Sequence, residues 1–213
     1  LQYLRKRKDV DKARIALVGH GEGGWIALAA ARAEKSVAAL ALLATAGTRG
    51  ADLVLEQQRA VLAKMAISEE ERKARADLQQ RIHKAVLTGE GWETIAPAVR
   101  KQAETPWFRS YLAFDPAALL ARIEKPVLVL HGELDREVPV EHAARLGAIA
   151  EKRKPRKGQT TTVARVPQVN HLLVKAGTGE TEEYARLSGA TLDAAAVSRL
   201  TGWLTEQVRD ARR

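Results

Sequence analysis

From Arg14 the sequence runs a short apolar stretch, Ile15-Ala16-Leu17-Val18, straight into Gly19-His20-Gly21-Glu22-Gly23-Gly24. Residues 25–33 follow, with five alanines. An apolar run without polar alternation marks a parallel strand buried on both faces. Alanine favours helix, and its small side chain allows close packing. The glycine-rich hexapeptide therefore lies on a strand-to-helix turn. Residues 37–45 (VAALALLAT) read as a second buried strand. Strand, helix and strand form a βαβ unit, which confines the chain to the α/β class with a parallel sheet.

The same rhythm returns after an interruption. Residues 126–130 (PVLVL) form a third buried strand that ends in His131-Gly132-Glu133-Leu134-Asp135. Residues 140–150 read as a helix and the basic stretch 151–159 as a loop. Residues 160–166, rich in β-branched side chains, form a fourth strand followed by Pro167-Gln168-Val169-Asn170-His171. An amphipathic helix over 194–209 closes the chain, and residues 1–9 are the end of a charged helix. Between the second and third strands, charged and helix-favouring residues dominate, over 53–65, 68–87 and 92–103, with a capping box at Ser68 and Glu71. The expected organisation is an α/β core over 1–46, a helical insertion over 47–115 and the rest of the core over 116–213.

At 213 residues with 46% hydrophobic side chains, the chain suits one ordinary domain or a large part of a bigger one. The absence of cysteine excludes a disulfide framework, a thiolate zinc site and a cysteine nucleophile. No apolar run reaches 18 residues, so no transmembrane segment is expected. The net charge of +9 keeps an anionic partner in view. However, the basic residues gather in two short runs, Arg5-Lys6-Arg7-Lys8 and residues 152–157, without interleaved aromatics. With aromatics at 4% there is no stacking platform, which argues against nucleic acid and for solvated helix ends and loops. The sequence opens Leu1-Gln2-Tyr3 without a readable targeting segment, so it is expected to lack its natural beginning, and the compartment stays open.

Gly21, Asp135 and His171 each fall just past the carboxyl end of an expected parallel strand, the edge where open α/β sheets bind ligands. Their order, turn then acid then histidine, resembles the α/β-hydrolase superfamily. Within it, the chain is most similar to serine hydrolases with a G-H-S-E-G-G nucleophile elbow. The matching segments are 15–24, 127–139 (VLVLHGELDREVP) and 169–172 (VNHL). This resemblance implies acyl transfer by a Ser-Asp-His triad, with Asp135 as acid and His171 as base. The backbone N–H of Glu22 would be one oxyanion donor. Gly21 stands where the family has its serine, so the elbow geometry can survive while the covalent step does not. The implied substrate is a small carboxylic ester or acyl compound, with a peptide or amide second, and no metal or organic cofactor.

The resemblance further implies that the chain supplies strands five to eight of an eight-stranded fold. The second oxyanion donor, normally from a loop after the third strand, then has no source here. A missing N-terminal half is expected, as a separate chain or through truncation, or else a homodimer covers the exposed sheet edge. The insertion would be a lid, and Trp92, Trp107, Phe108 and Tyr111 either line its pocket or fill its core.

Other readings of these residues carry less. Asp115 and Asp193 suit helix caps. His20 and His131 read as structural, His83 as a polar-helix residue and His142 as a helix-surface residue. The Glu22 carboxylate sits one residue late to replace a nucleophile. A metal site from His20, His131 and His171 lacks motif spacing, and a dinucleotide turn through Gly19, Gly21 and Gly24 lacks its acidic partner. Three functions are expected in turn: an acyl hydrolase impaired by Gly21, a ligand-binding pseudoenzyme of the same fold, and a binder of anionic partners.

Overall fold

The computed structural model describes residues 1–154 and 158–210. The chain divides into two compact units, Leu1–Gly47 with Pro116–Arg213, and Thr48–Asp115. Among the described residues no helix is long and apolar enough to cross a membrane.

The first unit is built on a four-stranded parallel sheet of β1 (Ala16–His20), β2 (Ala39–Leu43), β3 (Val127–Gly132) and β4 (Thr161–Val166), in that spatial order. Register places His20 beside Leu43, Leu43 beside Leu130 and Gly132 beside Val166, so all four carboxyl ends share one rim. The central strands are buried on both faces. Alternation divides them between two clusters. Leu40, Leu42, Val127 and Val129 pack with α2 (Glu22–Ala33) and α8 (Glu141–Glu151). Ala39, Ala41, Leu43, Leu128 and Leu130 pack with Ala196 and Trp203 of α9 (Ala194–Asp210). The two outer strands are half exposed, which corrects the expectation that β1 is buried on both faces; Val18 is 48% exposed. It occupies a sheet edge, where one side lacks a neighbour. The remaining helices of this unit are α1 (Gln2–Lys6) and α7 (Pro116–Leu120).

The second unit is entirely helical: α3 (Gly50–Lys64), α4 (Glu69–Thr88), α5 (Pro97–Ala103) and α6 (Pro106–Ala113). Ser68 caps α4 by accepting from Glu71 N–H at 3.1 Å, while Glu71 pairs with Arg75 rather than reaching back, so only half of the capping box forms. The helix expected over 92–103 is split. A single 3₁₀ turn, Trp92–Thr94, precedes α5, whose fixed-φ Pro97 suits the first turn of a helix.

One charge reading changes. Arg153, expected in a solvated loop, is buried, and its five N–H groups go to the carbonyls of Ala150, Ile123, Lys125 and Thr160 and to Thr161 Oγ1. It staples the end of α8 to the starts of β3 and β4. The rest of that run, residues 155–157, lies outside the described residues. Arg5 and Arg7 pair with Glu34 and Asp9, consistent with solvated ends.

The approach of α2 to the sheet fixes the turn that carries Gly21. A Cβ on Gly19 would sit 2.2 Å from the Gly23 carbonyl oxygen, and one on Gly24 would sit 2.0 Å from Thr45 Oγ1, whereas one on Gly23 meets nothing within 4 Å. Gly19→Ala is therefore expected to cost about 1–3 kcal/mol through overpacking against backbone. Gly23→Ala should instead stabilise by up to about 1 kcal/mol through helix propensity. Chemical denaturation of both variants checks this, and equal midpoints would contradict the close approach.

Candidate active site

Gly21 follows β1 directly and caps α2. Its φ of +56° and ψ of −124° lie where an L side chain is strained. Gly21 N–H donates to Leu43 O at 2.9 Å, which ties the turn to the adjacent strand. An ideal Cβ at this position would lie 3.5 Å from His171 Nε2, and outside its chain neighbours only His171 Cε1 also comes within 4 Å. The next residue, Glu22, starts the helix, so its N–H belongs to the first turn.

Asp135 lies three residues past β3 and is 2% exposed. Its Oδ1 accepts from the N–H groups of Glu137 (3.0 Å) and Val138 (2.8 Å), which folds the turn around the carboxylate. Its Oδ2 accepts from His171 Nδ1 at 2.8 Å and lies 3.2 Å from His131 Nε2. His131 Nε2 also donates to Val138 O at 2.7 Å, so its one proton is shared. Burial pushes the Asp135 carboxyl upward, but the hydrogen bonds from His131 and His171 and the charge of His171 outweigh it, and the group lies below its ordinary value. Burial pulls His171 down, yet the hydrogen bond and charge of Asp135, helped by the Glu137 charge, leave it above the ordinary imidazole value.

His171 follows β4 in the segment 167–171 and is 9% exposed. His20, at the end of β1, donates from Nε2 to the His171 carbonyl at 2.7 Å, and its ring lies 4.8 Å from the His171 ring. Three strand ends thus bring Gly21, Asp135 and His171 together. Among the described residues no group of three or more His, Asp or Glu side chains is arranged to hold a metal.

The model of the alpha/beta hydrolase family matches residues 1–186 of the sequence. The chain belongs to that family. No curated protein matches it. Among solved structures, Est1E from Butyrivibrio proteoclasticus is 16% identical over 98% of this chain and 66% of its own, with a TM-score of 0.50. The esterase domain of a Rhodothermus marinus protein is 15% identical over 87% of this chain and 61% of its own, with a TM-score of 0.42. The acylaminoacyl peptidase of Pyrococcus horikoshii is 16% identical over 80% and 22%, with a TM-score of 0.45. The likeness to Est1E concerns fold alone. This chain spans under two thirds of the Rhodothermus domain and under a quarter of the peptidase.

Other residues of this alpha/beta hydrolase occupy places the sequence did not show. His142, expected on a helix surface, is buried, and its Nδ1 accepts from Gly47 N–H at 3.0 Å. His83 is buried too, within the helical unit, beside Gln79. Asp193 caps α9 by accepting from Ala195 and Ala196 N–H, and Asp115 lies 3.4 Å from Arg49. Trp92 is 6% exposed in the core of the helical unit, with the Arg100 guanidinium 5.3 Å above its ring. Phe108 packs against that core, while Trp107 is 59% exposed and contacts the rings of Phe108 and Tyr111.

A strap over 177–187 also escaped the sequence. The Glu183 carboxylate accepts from three successive N–H groups, Gly177 (2.7 Å), Thr178 (3.1 Å) and Gly179 (2.9 Å), which hold it down to about 2. Gly179 presses on the Leu134 carbonyl, where any Cβ would collide, and Tyr184 donates to Glu137 Oε1 at 2.6 Å. The strap therefore grips the turn that carries Asp135. A local signal was present in Gly177-Thr178-Gly179 with an acid four residues on, but its contact with a turn some 45 residues earlier was not.

Two measurements follow from these interactions. By NMR, His171 should titrate above the ordinary imidazole value of about 6.5, and Asp135→Asn should bring the midpoint down. The paired state then contributes stability between the two titrations, lost as Asp135 protonates at low pH and as His171 deprotonates at high pH. An unchanged midpoint in Asp135→Asn would contradict the pairing. For the strap, Glu183→Gln should speed amide exchange at 177–179. In the unmutated protein the same amides should loosen only as pH falls towards about 2, because a depressed carboxyl stabilises above its unfolded value.

Proposed function

We propose that this rim is an acyl-hydrolase site of the serine type, in which Asp135 orients and charges His171 and Gly21 occupies the nucleophile position. One observation carries the reading: the bare α-carbon of Gly21 directs its missing side chain at His171 Nε2, the ring nitrogen opposite the one held by Asp135. A hydroxyl one bond beyond that Cβ could donate to Nε2, lose its proton to it and attack a carbonyl. The Glu22 N–H supplies one oxyanion donor. The second donor, and a neighbour for the free edge of β1, come from polypeptide outside this sheet or from a second copy. The substrate is a small carboxylic ester, with an amide or peptide second. The helical insertion Thr48–Asp115 is the candidate lid.

Glycine at this position removes the covalent route while leaving the acid and base in place. Gly21→Ser should therefore raise hydrolysis of 4-nitrophenyl acetate by at least about 10³-fold and give one-to-one labelling by a fluorophosphonate. The same substitution should cost about 1–3 kcal/mol of stability, since a side chain at φ +56° is strained. A folded Gly21→Ser protein that takes no label and gains no rate would refute this reading in favour of a ligand-binding pseudoenzyme.

A further inference from the structure

We infer that the unmutated Gly21 protein is itself a hydrolase of activated acyl compounds, in which His171 and Asp135 activate a water molecule lodged in the hollow beside Gly21. The inference rests on the acyl-hydrolase reading of the rim and gives that site a second, one-step chemistry. Three features carry it. Where a side chain would stand, the Cβ position meets the His171 imidazole and, apart from its own chain neighbours His20 and Glu22, nothing else within 4 Å. His171 Nδ1 donates to Asp135, so Nε2 carries the lone pair, and Nε2 makes no hydrogen bond to any described residue. Asp135 cannot turn away from this task, because both its oxygens are engaged and it is buried. A base thus faces the open position of the missing side chain, beside the N-terminus of a twelve-residue helix, which favours developing negative charge.

The step balances without any co-reactant. The water oxygen forms a bond to the acyl carbon while one water proton moves to His171 Nε2. The carbonyl oxygen takes the negative charge and accepts from Glu22 N–H. The tetrahedral species then collapses: the bond from carbon to the leaving oxygen or sulfur breaks, and the Nε2 proton goes to the leaving group. The products are a carboxylic acid and an alcohol or thiol, and His171 returns to its starting state. No acyl-enzyme forms. A positioned general base supplies roughly 10²–10⁴-fold, less than a covalent route with a full oxyanion hole. Turnover is therefore confined to substrates whose leaving groups need little help, namely aryl esters and thioesters with small acyl groups that leave room for the water.

The test measures hydrolysis of 4-nitrophenyl acetate by the Gly21 protein, His171→Ala, Asp135→Asn and Gly21→Ala, each checked for fold by circular dichroism. The expected result is a Gly21 rate about 10²-fold above His171→Ala, without a nitrophenol burst and without an acyl adduct in the mass spectrum. Gly21→Ala, whose methyl fills the hollow, should fall to the His171→Ala level. Equal rates for the Gly21 protein and His171→Ala would overturn the inference, and so would a burst or adduct. If Gly21→Ala does not fold, the His171→Ala and Asp135→Asn comparison decides alone. The two proposals fail separately. Gly21→Ser that is labelled and fast, beside a Gly21 protein with no His171-dependent rate, refutes the water route and leaves the serine-type reading standing. An unlabelled, slow Gly21→Ser beside His171-dependent turnover in the Gly21 protein refutes the serine-type reading instead.

Discussion

The Asp135 carboxylate organises the chemical end of this molecule. A buried carboxylate is costly unless every oxygen is matched. Here two amides of its own turn hold one oxygen, while His171 and His131 approach the other. Burial alone would push the carboxyl upward, and the donors reverse that outcome. The consequences spread outward. The charge selects the His171 tautomer with its proton on Nδ1 and frees Nε2 to face Gly21. The amides of Glu137 and Val138 bend the chain out of β3 towards α8. Glu137, positioned by that bend, accepts from Tyr184 and adds its own charge to the field on His171. The strap is thus continuous with the site: its glycine abuts Leu134, and its tyrosine holds the residue two past the acid. Removing the charge at Asp135 would therefore affect tautomer, turn and strap together.

The parts legible in sequence are those fixed by short-range periodicity. Residues 127–130 announce a buried strand because no polar residue interrupts them, and β3 duly lies in the sheet centre, buried on both faces. The same logic placed Gly21, Asp135 and His171 beyond strand ends, and a parallel sheet carries all such ends to one rim without further information. Burial set by distant partners was not legible. His142 looked like a surface residue because helix periodicity does not reveal that Gly47 N–H would seek its Nδ1. Arg153 looked solvated because it sits in a basic run, yet four carbonyls converging from a helix end and strand starts accept from its guanidinium. Trp92 could be read as pocket lining or as core of the insertion, and only the fold shows it in the core. The half-exposed β1 is a related case: its sequence is that of a central strand, and its position in this sheet is at the edge.

Gly21 is where stability and chemistry separate. The turn needs a left-handed backbone because α2 packs against β1 through Gly19 and against Thr45 through Gly24, and neither contact tolerates a side chain. That geometry is imposed whether or not position 21 carries a nucleophile. Serine there accepts strain and gains a hydroxyl aimed at His171, whereas glycine relaxes the strain and leaves a hollow of the same shape. The scaffold therefore favours glycine, by about 1–3 kcal/mol, while the covalent reaction needs the hydroxyl. Because the Asp135–His171 pair draws its geometry from β3, β4 and the strap, none of which contact the missing side chain, losing the hydroxyl does not dismantle the base. An acid–base pair held by its own supports, facing the open position of the missing side chain, remains poised for proton transfer, and what occupies that position decides which reaction it performs.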